Sequence, residues 1–225
     1  ENIPDAAPIA DGPLVANPEQ DTLDMADMLY KQAQAPATKE NRQEYGRLLD
    51  LSLRKYLEFT QRFPQSAQAP LAEYRAAMCL EELGRKDEAH GLFLRLIQTG
   101  SPALVAASAY RLATDASSAG EIDKAIQYYQ LVIRNAEQND LKVDAQYRLG
   151  RLFLSSGNPE AAATMFCAVM GNPEADAKFV LVSRMGYAAL CADTGRLGEA
   201  YSEYRKVLEL SLIHISEPTR PRLIS

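Results

Sequence analysis

Apolar residues recur along this chain at intervals of three and four, the spacing that lays them on one face of a helix. Leu23, Ala26, Leu29, Tyr30 and Ala33 form the first such set, with Asp21 and Thr22 placed to cap it and Pro36 to close it. A second helix runs from about Asn41 to Phe63 through Leu48, Leu49, Ser52, Tyr56 and Phe59, and stops at Arg62-Phe63-Pro64. Residues 1–20, ENIPDAAPIADGPLVANPEQ, break the pattern with four prolines among small and acidic residues. They predict a disordered leader.

From residue 67 the chain repeats itself. Four stretches align: LAEYRAAMCLEELGRKDEAHGLFLRLI, ASAYRLATDASSAGEIDKAIQYYQLVI, DAQYRLGRLFLSSGNPEAAATMFCAVM and LVSRMGYAALCADTGRLGEAYSEYRKVL. Each is a helical stretch closed by glycine, a short polar turn and a second helix opened by alanine. The glycines are Gly84, Gly120, Gly157 and Gly195, and the alanines Ala89, Ala125, Ala162 and Ala200. Both series step by 36, 37 and 38 residues. A small residue in the first helix (Ala77, Ala113, Gly150, Ala188) and an aromatic in the second (Phe93, Tyr129, Phe166, Tyr204) keep the same steps. Two helices joined by a tight turn need glycine in the left-handed conformation that ends the first, and small residues where their backbones approach. The aromatic then fills the gap to the next pair. Ser101-Pro102 and Asn158-Pro159 add helix-start signals, a capping side chain followed by proline in the first turn.

On these residues the sequence resembles the tetratricopeptide repeat family. The resemblance implies an all-α fold, a right-handed superhelical solenoid of antiparallel helix pairs. It covers four repeats in residues 67–209, with a degenerate leading pair in 21–66 where Ser52, Tyr56, Phe59 and Pro64 fit the pattern. The sequence departs from the family in a period longer than 34 and in lacking the family's tryptophan. A narrower resemblance attaches to KYLEFTQRFPQSAQAPLAEYRAAMCLEELGRKDEA. It looks like repeats of bacterial envelope proteins, the outer-membrane-assembly lipoproteins and the Tol-associated division coordinator. That implies periplasm or envelope rather than cytoplasm.

The family resemblance also implies a concave face lined by the first helix of each pair. On it would fall Tyr74, Arg75 and Met78, then Tyr110 and Arg111, then Tyr147, Arg148 and Arg151, and finally Met185. A Tyr-Arg pair recurring in three repeats suits an extended acidic peptide or a carboxylate terminus. The alternative stays open: the tyrosines pack between helices and the arginines pair with neighbouring acidic side chains. The co-chaperone subclass, with lysine and asparagine at the corresponding places of its first repeat, is disfavoured.

Bulk chemistry narrows the function. A net charge of −6 without a dense basic cluster argues against nucleic-acid binding, and no stretch is apolar for long enough to span a bilayer. Cys79, Cys167 and Cys191 sit in apolar helical runs without CxxC spacing and read as small buried hydrophobes. His90 reads as a surface helix residue, and it has no base–orienter partner in sequence. Glu81-Glu82 and Asp87-Glu88 read as solvated helix ends rather than paired catalytic carboxylates. Metal-ligand spacing and phosphate-cradling glycine runs are absent, so no cofactor and no enzyme activity is expected. The expected function is a non-catalytic scaffold that binds another protein or an extended, acidic peptide. The competing expectation is a regulatory or docking segment of a larger multidomain enzyme or sensor whose C-terminal part is missing.

The final stretch, LSLIHISEPTRPRLIS, residues 210–225, abandons the repeat. LSLIHISEPTR is similar to the in-frame translation of a transposase-type sequencing adapter. The native chain is therefore expected to be truncated after Glu209, leaving Tyr204, Val207 and Leu208 at an open end. A non-native continuation would extend the helix by a turn or so before Pro218 stops it.

Overall fold

A computed structural model describes the backbone of residues 17–216 and the side chains of residues 17–210. Eleven helices and no strand occur among the described residues. They are α1 (Pro18–Ala33), α2 (Pro36–Glu40), α3 (Arg42–Arg62), α4 (Ala69–Glu82), α5 (Lys86–Thr99), α6 (Pro102–Ser118), α7 (Ile122–Asn135), α8 (Asn139–Ser155), α9 (Pro159–Met170), α10 (Ala177–Asp193) and α11 (Leu197–Ser216). The chain divides into two compact units, the first ending at Ala89 and the second beginning at His90, inside α5.

Each repeat turn closes by the same backbone device. Gly84, Gly120, Gly157 and Gly195 have φ of 77°, 77°, 74° and 77°, the left-handed region. The N–H after each glycine reaches back to the helix: Arg85 to the Leu80 carbonyl, Glu121 to Ala116, Asn158 to Phe153 and Arg196 to Cys191, all within 2.9 Å. Each glycine N–H binds the carbonyl one residue beyond that acceptor. This double closure satisfies carbonyls that a bare helix end would leave open.

In the first unit α1 and α4 both pack on α3. Leu23 and Ala26 of α1, Leu49, Leu53, Tyr56 and Phe59 of α3, and Ala72, Ala76 and Cys79 of α4 are all buried. Polar side chains link the same helices. The Ser52 hydroxyl donates to the Ala26 carbonyl at 2.8 Å, and Tyr56 to Asp27 at 2.6 Å. Glu82 accepts from Gln34 at 2.6 Å and from the hydroxyls of Tyr30 and Tyr45.

In the second unit Ala109, Ala113 and Ala116 of α6, Ala125, Tyr129 and Val132 of α7, and Ala145, Leu149 and Leu152 of α8 form one core. Alanines on α6 let α7 come close, and Tyr129 fills the space that remains. The next aromatic, Phe166 of α9, is fully buried. A Cβ at Gly150 of α8 would lie 2.8 Å from its Cε1, and one at Gly186 of α10 would lie 2.8 Å from its Cζ. The ring therefore occupies a slot that exists only because both positions lack side chains.

Several expectations need correction. The first helix opens at Pro18, not after Asp21; Asn17 is its cap, accepting from the Gln20 N–H at 3.4 Å. Residues 17–20 thus belong to a helix, while the rest of the expected leader lies outside the described residues. Pro36 opens the short helix α2 rather than ending a segment. Ser101 precedes α6 without a side-chain capping bond, whereas Asn158 accepts from the Ala161 N–H at 3.2 Å. Cys167 is exposed, since it lies on α9 beside buried Phe166 but turned away from the core. Glu82 is not a solvated helix end, because three side chains converge on it. His90 is half-buried and bonded to Asp115 at 2.9 Å. Helix α11 continues to Ser216; residues 217–225 lie outside the described residues. On α11, Leu197, Tyr201, Tyr204 and Leu208 are exposed, and Val207 is half-buried.

Candidate functional site

The residues expected on the first-helix face fall into both units. Tyr74, Arg75 and Met78 lie on α4 of the first unit, all half-buried. Arg75 is anchored by an ion pair, its Nη1 lying 2.5 Å from Asp27 Oδ1. Asp27 also accepts from Tyr56, so one carboxylate ties α1 to α3 and α4. Tyr74 likewise has a partner.

The other six lie in the second unit. Tyr110 on α6 donates to Asp144 on α8, and burial, then this carboxylate, push its hydroxyl up to about 12. It therefore stays a donor throughout the physiological range. Asp144 also binds Arg148 one turn along α8, accepting from Nε at 3.0 Å on each oxygen. The Arg148 guanidinium lies 5.7 Å from the Tyr110 ring centroid, which closes a three-residue cycle between the helices. Arg111 is half-buried and also has a partner.

Tyr147 packs between Phe166 of α9 and Phe179 of α10, at centroid distances of 6.3 and 6.1 Å. The exposed Arg151 lies over its ring at 5.9 Å. Arg148 and Arg151 line one pocket with Ser117, Ile122, Tyr129, Leu152 and Ser155, about 300 Å³ in volume. Met185 on α10 stands 47% exposed, too much for a core methionine and typical of an adaptable contact. Among the described residues no group of His, Cys, Asp or Glu is arranged to hold a metal ion, and no helix is long and apolar enough to cross a membrane.

Residues 71–99 and residues 110–170 each match a family model described as tetratricopeptide repeat. Over these residues the helix pairs match the tetratricopeptide repeat. The chain also resembles solved structures over most of its length. One is BtubC (BKLC) from P. vanneervenii, 15% identical, covering 93% of this chain and 97% of that one with a TM-score of 0.61. Another is a putative kinesin light chain of Podosopora anserina with nearly identical TPR-like repeats, 14% identical, covering 90% and 100%, TM-score 0.64. A third is a MamA protein, 16% identical, covering 90% and 98%, TM-score 0.61. At these identities the likeness is one of fold. No curated protein matches the sequence.

Within the tetratricopeptide frame, sequence reading missed Asp144, Ser117 and Ser155. Asp144 had a signal: it precedes Arg148 by four residues, the spacing at which an acidic and a basic side chain meet on a helix. Ser155 had one too, since it follows Arg151 by four residues on α8; Ser117 had none, because it reaches the arginines only from another helix, the end of α6. The pocket's tyrosine, Tyr129, was legible only as the aromatic of its repeat.

Proposed function

We propose that the first-helix face of the second unit, built by α6, α8 and α10, binds an extended segment of another protein. Tetratricopeptide repeats mediate protein–protein interaction, and their first helices line the concave side. The observation that carries the reading is the sequence of environments along α8 and α10. Two exposed guanidinium groups held over tyrosine rings are followed by a solvent-facing methionine. Such rigid, preformed contacts leave the ordering of the peptide as the main entropic cost.

Peptides selected from a random library against the full chain test this. Met185→Glu and Arg151→Gln each weaken a selected peptide by about tenfold, while circular dichroism stays helical. Selected peptides indifferent to both changes would place binding elsewhere.

Two further readings belong to this proposal. An envelope setting is supported by the aromatic-rich helix ending in Phe63-Pro64 and the following alanine-rich helix, and fractionation of the source cell tests it. The reading of residues 210–225 as adapter-derived is supported by the match of LSLIHISEPTR. Sequencing the source DNA across the Glu209 codon tests that reading.

A further inference from the structure

The second-helix side of the second unit carries a cavity of about 560 Å³ that the peptide-binding reading does not use. It opens between α7 and α9, the second helices of their pairs, with α8 as its floor. Ile133, Leu149, Phe153 and Met165 form its walls; Leu149 is buried and the other three pack half-buried on the same side chains. One repeat further on, a step of 38 residues puts Glu199 and Glu203 where this cavity has Ala161 and Met165. There Glu203 pairs with Arg184 at 2.5 Å and Glu199 accepts from the Tyr187 hydroxyl at 3.3 Å. The chain's own polar bonds thus join α11 to α10, whereas α9 meets α7 and α8 across an open, apolar space.

The mouth of that space carries a single charge. Gln130 and Arg134 stand one turn apart on α7, both exposed and both lining the cavity. The Arg134 Nε donates to the Gln130 carbonyl at 3.4 Å. The terminal nitrogens of Arg134 and the side-chain amide of Gln130 make no hydrogen bond or ion pair among the described residues. A guanidinium fork beside a carboxamide can hold both oxygens of a carboxylate.

We propose that this cavity binds a small amphiphilic monocarboxylate, its medium-length hydrocarbon body among Ile133, Leu149, Phe153 and Met165 and its carboxylate on Arg134 and Gln130. Size selects a small ligand. The volume falls within the range of about 300–1,000 Å³ for small-molecule sites, which are likewise apolar with a few polar groups that fix orientation. One turn of a partner helix, about 10 Å across and about 5.4 Å long, would already take up most of it. Charge selects the head group. One unmatched cation balances a monoanion, repels an ammonium amphiphile and leaves the second charge of a phosphate monoester unmet.

The test is a methyl NMR titration of the full chain, labelled at its six methionines, with octanoate as the probe and Met165→Leu to assign the reporting resonance. A saturable shift at Met165 is expected, while Met25, Met28 and Met185, which are exposed elsewhere, stay unmoved. Octanol, which lacks the charge, and butyrate, which lacks the chain, bind more weakly. Arg134→Gln weakens octanoate about fivefold and leaves octanol unchanged. Ala161→Leu, which fills the cavity from α9, removes the Met165 shift with helical circular dichroism retained. The assignment is overturned if Met165 shows no saturable shift, if the exposed methionines shift in parallel with it, or if either substitution leaves octanoate binding intact. Equally tight binding of octyltrimethylammonium or octyl phosphate overturns it too. A library-selected peptide that shifts Met165 where octanoate does not would give the cavity to a protein partner instead. Met185 reports the peptide-binding face separately, so this assignment and that reading fail independently.

Discussion

Phe166 shows how much a single position contributes here. Its ring fills a slot bounded by Gly150 and Gly186, and a methyl group at either would sit inside van der Waals distance of the ring. Gly150→Ala and Gly186→Ala each therefore lower stability by about 1–3 kcal/mol in urea unfolding, although alanine is the better helix former. Phe166→Leu in the Gly150→Ala background recovers part of the loss. Gly150 was legible as the small residue of its repeat. Gly186 was not, because Arg75, Arg111 and Arg148 stand at the equivalent place in the other repeats. There the side chain points along the face; in the fourth repeat the room goes to Phe166 instead. Glu203 adds a pH dependence. Burial alone would raise its carboxyl, but hydrogen bonds from Lys206 and Arg184 outweigh that and hold it below the usual carboxylate range. A lowered folded pKa stabilises above the unfolded value and is lost as pH falls through the folded one. Glu203→Gln therefore destabilises at neutral pH, and the gap to wild type closes on acidification below the ordinary carboxylate range.

At the scale of helices, the left-handed glycines decide where each pair folds back. Gly120→Ala and Gly157→Ala place a Cβ in open space but on a backbone with φ of 77° and 74°. The expected cost is about 1 kcal/mol each, from backbone strain alone, with asparagine tolerated better than alanine. Thermal unfolding of the four single variants checks the ranking. The turns were readable because each local signal was also periodic. Where a signal stood alone it was outweighed: Asn17-Pro18 is the same device as Asn158-Pro159, yet it sits at the end of a proline-rich stretch whose composition suggested a leader. Cys167 was misplaced for a related reason. Its helix is apolar nearly all round, so periodicity alone does not say which side meets α8 and α10.

For the molecule as a whole, the repeats and the two compact units give the architecture, and the proposed function rests on one face of the second unit. The face was legible as a list of residues but not as a set of availabilities. The sequence offered a ladder of equivalent Tyr-Arg pairs. Side-chain partners distant in sequence, such as Asp27 for Arg75, tie some of them to neighbouring helices. What remains is local: Arg148, Arg151, their tyrosines and Met185. The most direct measurement is hydrogen–deuterium exchange of the full chain with and without a library-selected peptide. The account predicts added protection confined to α6, α8 and α10, centred on the turn of α8 that carries Arg148 and Arg151. Protection concentrated on α7, α9 or α11, with α8 unchanged, would contradict it.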